Sequence, residues 1–412
     1  MIVEVLSTGT ELLLGSIVNT HAAWLGRMLF PLGLRISRQT TVPDGAAIRD
    51  ALIEAFGRCD VLLVTGGLGP TTDDITREVT AELLGLRLVA DGDILRGIQE
   101  RCALRGFQFQ ERMRRQTMVP EGATVMPNEH GTAPGLYLPP VETPSARTPH
   151  VFLMPGPPRE LRPMFEAHGL PRIREWMSGA NAPECRVYRC VGIGESLVEA
   201  RIGLRLSEVS GLEVGYCARP NEVDFRLIGA AALLDELEPQ VLAELGEFIV
   251  SSDGGSLEEA VVTKLRELRR TLATAESCTG GLLANRITNV PGASEIFGAG
   301  WVTYANEVKS AQLGVEAALI AEHGAVSKQV ALRMAEGARD AAGADFALAT
   351  TGIAGPGGGT EEKPAGTVFL ALAERGEPTI AWREFFPTDR ETFKQLATQA
   401  ALNALRKRLS SK

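Results

Sequence analysis

The sequence predicts an α/β protein made of two layered α/β domains joined by a small α+β middle subdomain. Three observations carry that expectation. Short apolar runs of strand type alternate with amphipathic stretches of helical period from residue 2 to beyond Ile75, and the same alternation begins again at residue 271. Between them, the turn-rich break at 251–255 (SSDGG) is followed by Ser256-Leu-Glu-Glu259, the signature of a capping box that opens a helix.

In chain order, residues 2–7 (IVEVLS) read as a strand, 17–32 as an amphipathic helix, 34–42 as a strand, 46–57 as a helix and 60–65 (DVLLVT) as a buried strand, with another helix from about Ile75. This spacing implies parallel pairing through right-handed crossovers, and sheets of that kind place ligands in the loops at strand carboxyl ends. The Pro-, Ser- and Thr-rich segment 139–149 reads as a surface loop before a strand at 151–156. Strand-like stretches at 186–193 and 222–231 and a helix near 234–248 form the middle unit, and the capping box opens a helix over 257–270. The last domain is expected to run strand 271–276, helix 280–289, strand 299–304, helices to 342, strand 345–351, two further strands (GTVFLALA, TIAWREFF) and a closing helix from about Asp389 to Leu409. The expected domains are therefore 1–172, 173–252 and 253–412.

A formal charge of -9 argues against nucleic acid or an anionic membrane as partner and favours a small molecule. The N-terminal residues have no basic, then apolar, leader pattern, and no apolar run approaches a membrane span, so the expected location is the cytoplasm. Six cysteines without CxxC spacing and five scattered histidines indicate neither a disulfide framework nor a zinc site, so any metal would be a hard cation on oxygen ligands.

Four constellations are candidates for chemistry. Glu276-Ser277-Cys278-Thr279-Gly280-Gly281 stands where a strand runs into a helix; Ser277 there is either a nucleophile served by helix-start amides or a residue of a capped turn. Tyr304 and Lys309, in WVTYANEVK, emerge near the same sheet edge, and a desolvated lysine can act as a base for a serine or a water. The Gly-dense loop from Thr351, Gly352 and Gly355 to Gly366 lets backbone amides approach a phosphate, but it lacks the GK[ST] ending of a P-loop. In the N-terminal half, Gly66, Gly67, Thr72, Asp73 and Asp74 follow a buried strand, and Glu11 and Asn19 lie near the end of the first one. Glycines beside carboxylates suit a phosphate only with a divalent cation between them; the other reading is a turn with acidic capping residues. The segments 128–135 and 155–160 are further turns at strand ends, and His21 and His130 are lone histidines, a type more often solvated or hydrogen-bonded than ligating.

Through AESCTGG, VTYANEVK, HGAVS and GIAGPGGGTEEKPAGTV in order, residues 257–412 resemble the nicotinamide-nucleotide amidase domain of the CinA family. STGTELLLG, VTGGLGPTTDDIT, NEHGTAPG and MPGPPREL resemble that family's molybdopterin-binding-like domain, and VGIGES its linking region. The resemblance implies hydrolysis of nicotinamide mononucleotide to nicotinate mononucleotide and ammonia, with Ser277, Tyr304, Lys309, Thr351 and Arg390 as the reactive and substrate-contacting set and no cofactor. It also implies a metal-dependent ADP-ribose pyrophosphatase in the N-terminal domain, with Asp73 and Asp74 on the cation, and a homodimer.

The expected amidase mechanism has Lys309 activating Ser277 for attack on the carboxamide, Tyr304 passing a proton to the leaving amine, and amides of Gly280 and Gly281, next to Thr279, stabilising the oxyanion. The 352–359 loop and Arg390 would hold the 5′-phosphate. Direct attack by water, with Ser277 only positioning it, fits the residues equally. The rival class is a non-catalytic protein, either a pterin-cofactor carrier or a competence-associated accessory factor.

Overall fold

The computed structural model describes all residues except 107, 143–147, 178–181 and 412, so residues 143–147 of the expected loop lie outside the described residues. The chain divides into two compact units, Met1–Pro183 and Glu184–Lys412. Ile173 is buried in the core of the first unit, which therefore runs past the expected end at 172.

The strands of the first unit are β1 (Val3–Thr8), β2 (Ile36–Val42), β3 (Val61–Thr65), β4 (Leu88–Ala90), β5 (Met118–Pro120), β6 (Thr124–Met126), β7 (Gly135–Leu138) and β8 (His150–Met154). Six of them form one sheet in the order β2-β1-β3-β8-β7-β6, parallel through β8 as expected and antiparallel thereafter. Alternation along the strands builds two cores. Val3, Val5, Leu63 and Phe152 face one side, and Leu6, Leu62, Val64 and Leu153 face the other. The expected helix over 17–32 is helical only at His21–Leu29 with a 3-10 turn at Phe30–Leu32. Its start is delayed because the Asn19 side chain receives the His21 amide (3.0 Å) and donates to the Ser7 hydroxyl (2.9 Å), tying the chain to β1.

In the second unit, β9 (Glu184–Val191), β10 (Glu213–Arg219), β11 (Glu222–Gly229) and β12 (Ile249–Ser251) form an antiparallel sheet ordered β10-β11-β9-β12 beside the helix Ala231–Leu245. Sequence reading missed β10, an edge strand with no fully buried residue and hence no clean alternation. The capping box forms as expected, Glu259 N donating to Ser256 Oγ (3.2 Å) and Ser256 N to Glu259 Oε2 (2.6 Å).

The remaining strands, β13 (Leu272–Glu276), β14 (Phe297–Val302), β15 (Phe346–Gly352), β16 (Thr367–Glu374) and β17 (Ile380–Phe385), are ordered β14-β13-β15-β16-β17, with the first three parallel. One face carries Leu272, Phe346, Leu348, Val368 and Leu370 against Phe393, Leu402 and Leu405 of the closing helix Arg390–Ser410. The other face is alanine (273, 275, 347, 349, 371 and 373), which leaves room for the helix Lys328–Ala342 to pack its Ala331, Ala335 and Ala338 close to the sheet. Among the described residues, no helix is long and apolar enough to cross a membrane.

Candidate functional site

Parallel register brings three carboxyl ends of the second unit's sheet to one edge. Glu276 of β13 pairs with Val302 of β14 and Thr350 of β15, and the ladder continues one residue on through Thr303 N to Glu276 O (2.8 Å) and Ser277 N to Thr350 O (2.9 Å). Ser277, half-buried, thus leaves the sheet beside Tyr304 and the glycine loop.

What shapes this turn is Glu276. Its carboxylate is fully buried and accepts from Thr279 Oγ1 (2.6 Å), Gly281 N (3.0 Å), Leu283 N (3.0 Å) and Ala284 N (2.8 Å). A negative group thereby caps the start of the helix Leu282–Thr288, satisfying amides that would otherwise lack partners. This corrects the expected oxyanion donors, because the Gly281 amide is held by Glu276 and the Gly280 amide by Ser277 O (3.2 Å). It also corrects Thr279 as a substrate contact: its hydroxyl is buried between Glu276 and Thr350 Oγ1 (2.7 Å). Gly280 and Gly281, at φ 62° and 94°, make the left-handed turn that lets the chain fold back over this carboxylate.

Lys309 is 1% exposed, and its Nζ donates to Thr303 O (2.9 Å) and Tyr304 O (3.2 Å), not to Ser277. Burial pushes its pKa below the ordinary lysine value, against the opposing pull of Cys278 and Glu307. A neutral amine has two N–H groups and a lone pair. With both N–H groups on carbonyls, the lone pair is left to accept a proton. Neighbouring Cys278 is no rival to Ser277 as nucleophile, since burial pushes its thiol up to about 12.

Tyr304 is 63% exposed, and its hydroxyl accepts from Arg390 Nη2 (3.0 Å). The other end of the guanidinium donates to Gly355 O (3.1 Å), so Arg390 joins the strand end to the glycine loop. Lys394, one turn further along the closing helix, was missed in sequence; a Cβ on Gly280 would stand 3.6 Å from its Nζ. Its i, i+4 spacing from Arg390 was the available signal. Thr351, expected on the substrate, is buried with Oγ1 donating to Ala325 O (2.8 Å), so its hydroxyl fastens the 323–327 turn instead. Gly352 is a packing glycine, since a Cβ there would lie 2.7 Å from Thr367 O. The loop is closed by Gly366 N to Ile353 O (2.7 Å) and by Lys363 Nζ to His323 O (2.8 Å).

In the first unit, the loops after β1, β3 and β8 meet at the carboxyl edge around a cavity of about 440 Å³. Glu11, Gly66, Gly67, Asp73 and Asp74 line it as expected; Thr72 is exposed outside the lining, and Asn19 serves instead as the tie between Ser7 and His21. Asp44, Arg105 and Gln116, which sequence reading did not select, also line it, together with Thr8 at the end of the first strand and Glu160 of the 155–160 turn. Backbone approaches closely at Gly67 (φ 69°), where a Cβ would fall 1.9 Å from Thr76 Oγ1. Thr71 donates through its amide (2.9 Å) and hydroxyl to Asp74 Oδ2, and hydrogen bonding to the Thr71 hydroxyl holds the Asp73 carboxyl below its usual range. His21 Nε2 lies 2.6 Å from Gly156 O and burial lowers its pKa, so the neutral ring braces the loop after β8. Among the described residues, no group of three or more His, Cys, Asp or Glu is arranged to hold a metal ion.

Residues 255–409 match the family model described as the CinA C-terminal domain, and residues 4–175 match the probable molybdopterin binding domain. A CinA-like protein of Akkermansia muciniphila is 48% identical over 403 residues, covering 98% of this chain and 96% of its own. A putative competence-damage inducible protein of Symbiobacterium thermophilum is 45% identical over 426 residues, 99% of each chain. The solved competence/damage inducible protein CihA from Agrobacterium tumefaciens shares 41% identity over 36% of this chain and 91% of that one, with a TM-score of 0.36.

Proposed function

The chain belongs to the CinA family, and on that premise we propose that its C-terminal domain hydrolyses the carboxamide of nicotinamide mononucleotide, yielding nicotinate mononucleotide and ammonia. The observation that carries this reading is Lys309, buried, bonded through Nζ to two carbonyls at the strand end beside Ser277, and shifted by burial below the ordinary lysine pKa. Ser277 Oγ adds to the carboxamide carbon as its proton passes to Lys309; catalytic hydrogen bonds commonly close only in the substrate complex. The C–N bond then breaks, the amine leaves as ammonia with that proton, and water hydrolyses the acyl-serine. Tyr304, whose oxygen accepts from Arg390, relays that proton, its hydroxyl giving one hydrogen to the leaving amine as it regains one from Lys309. Arg390 and Lys394 supply positive charge for the 5′-phosphate. Since the helix-start amides serve Glu276, they are not the oxyanion donors in this scheme. Direct water attack remains the second route, and it predicts activity in Ser277→Ala.

Ammonia release from nicotinamide mononucleotide by the wild type, absent in Lys309→Met, is the expected result. Equal release by both proteins would refute the assignment.

For the N-terminal domain the proposal is cation-dependent hydrolysis of the ADP-ribose diphosphate. The Asp73 and Asp74 carboxylates at this cavity suit a cation of the magnesium kind, which is held by one or two carboxylates and keeps waters and substrate phosphate oxygens in its shell. Asp73 and Asp74 would hold it, and it would supply neutralisation of diphosphate charge. Thr71 orients Asp74, and Gly67 lets the backbone approach the ligand. Turnover of ADP-ribose by Asp74→Asn at the wild-type rate would refute this site. The match of 4–175 to a molybdopterin binding model favours pterin carriage as the second reading, which predicts a copurifying pterin.

A further inference from the structure

The register of the second unit's sheet sets three hydroxyl residues side by side. Ala275 of β13 is in register with Trp301 of β14 and Ala349 of β15, and all three pack on the alanine face of the sheet. Strand alternation brings the residues two positions further on, Ser277, Thr303 and Thr351, to that same face. The bonds from Thr303 N to Glu276 O and from Ser277 N to Thr350 O carry the ladder that far. Lys309 comes to this face from the helix Asn306–Leu313, whose Leu313 packs against the same alanines.

Of the two threonines flanking Ser277, Thr351 spends its hydroxyl on Ala325 O, whereas Thr303 is fully buried and its Oγ1 has no hydrogen-bond partner among the described residues. An unpaired buried hydroxyl bears its desolvation cost without return, and valine would fill the same shape free of it. The position of that hydroxyl explains why it is there. Thr303 O holds Lys309 Nζ (2.9 Å), and the neighbour of Thr303 on the ladder is Ser277. Lys309 itself bonds to the carbonyls of Thr303 and Tyr304 and not to Ser277, so the proton leaving the serine has no direct bond to the amine. A hydroxyl, with one donor and two acceptor sites, can take a proton on one side while giving one on the other.

We infer that the Thr303 hydroxyl is the proton relay between Ser277 and Lys309. As Ser277 Oγ bonds to the carboxamide carbon, its hydrogen passes to Thr303 Oγ1 while the hydrogen of Thr303 passes to the lone pair of Lys309, so that Thr303 is unchanged and the lysine gains the proton. The inference rests on the reading of Ser277 and Lys309 as nucleophile and base, and it names the path between them.

The test is steady-state ammonia release from nicotinamide mononucleotide by the full chain, comparing wild type with Thr303→Val and Thr303→Ser. Valine keeps the branched shape and removes the unpaired hydroxyl, so its melting temperature should match or exceed that of the wild type. The expected result is at least a thirtyfold fall in kcat for Thr303→Val with KM within twofold, and kcat within threefold of wild type for Thr303→Ser, which keeps the hydroxyl and drops the methyl. Thr303→Ala should show the same loss as valine and serves if the first variant folds poorly. Wild-type kcat in a folded Thr303→Val or Thr303→Ala would overturn the relay and leave the serine and lysine assignment standing. A folded Thr303→Ser as slow as the valine variant would overturn it too, since the methyl and not the hydroxyl would then matter. Wild type that releases no ammonia would remove the amidase reading and the relay with it.

Discussion

Arg390 donates to the Tyr304 hydroxyl across 3.0 Å, although 86 residues separate them in the chain. Its second bond, to Gly355 O, makes one planar guanidinium the link between strand end, glycine loop and closing helix. Lysine cannot reproduce that fork. Arg390→Lys is expected to raise KM for nicotinamide mononucleotide roughly tenfold, the equivalent of about 1.4 kcal/mol, with a smaller change in kcat. Steady-state ammonia release checks the split; an unchanged KM would refute the phosphate role.

Glu276 holds its four donors with two oxygens in a fully buried position. Replacing one oxygen by NH₂ in Glu276→Gln turns an acceptor into a donor facing amide donors. The expected cost is about 2–3 kcal/mol of stability, together with a lower kcat as the Ser277 turn loosens. Thermal unfolding and ammonia release measure the two effects, and a wild-type melting temperature would contradict the cap.

Lys309 must be neutral to accept a proton, and burial favours its neutral form. Activity should therefore rise with pH through a pKa below the ordinary lysine value of about 10.4, because deprotonation creates the base. The acid limb of the kcat/KM profile reports this value. A limb centred at or above the ordinary value would exclude Lys309 as the titrating base.

Cys278 is adjacent to Ser277, but its thiol is buried and pushed up to about 12. Iodoacetamide at pH 8 is expected to leave ammonia release unchanged while alkylating exposed Cys217. Peptide mapping after treatment separates the two, and inactivation with label on Cys278 would mean the turn opens in solution.

Gly67 combines a left-handed φ of 69° with contact at 1.9 Å between an added Cβ and Thr76 Oγ1. Gly67→Ala should destabilise the protein by more than about 1 kcal/mol and weaken ADP-ribose binding, while ammonia release at a temperature where the variant is folded stays within twofold. Calorimetry and both assays on the same preparation check this.

Most strands and helices were legible because their signals are local. Apolar runs such as VLLVT at β3 and LATAE at β13 are buried on both sheet faces, and the Ser256–Glu259 capping box needs only four consecutive residues. Strand β10 escaped because an edge strand leaves its side chains half in water, and the helix at 17–32 was drawn too long because Asn19 bonds back to β1.

By itself, then, the sequence determined the alternation of elements and the carboxyl-end positions of Ser277, Tyr304, Gly67 and Asp74, since a strand's end and the loop after it are written in neighbouring residues. Only the tertiary structure decided which polar groups face a ligand. Thr279 and Thr351 have partners 71 and 26 residues away, and those bonds turn their hydroxyls inward. Arg105 and Gln116 reach the acidic pocket, and Lys394 reaches the Gly280 turn, from elements remote in sequence. Periodicity reports which face of an element is apolar; the partner of a buried hydroxyl, carboxylate or amine is set by whichever distant segment packs against it, and each buried group must find one or bear the cost of desolvation.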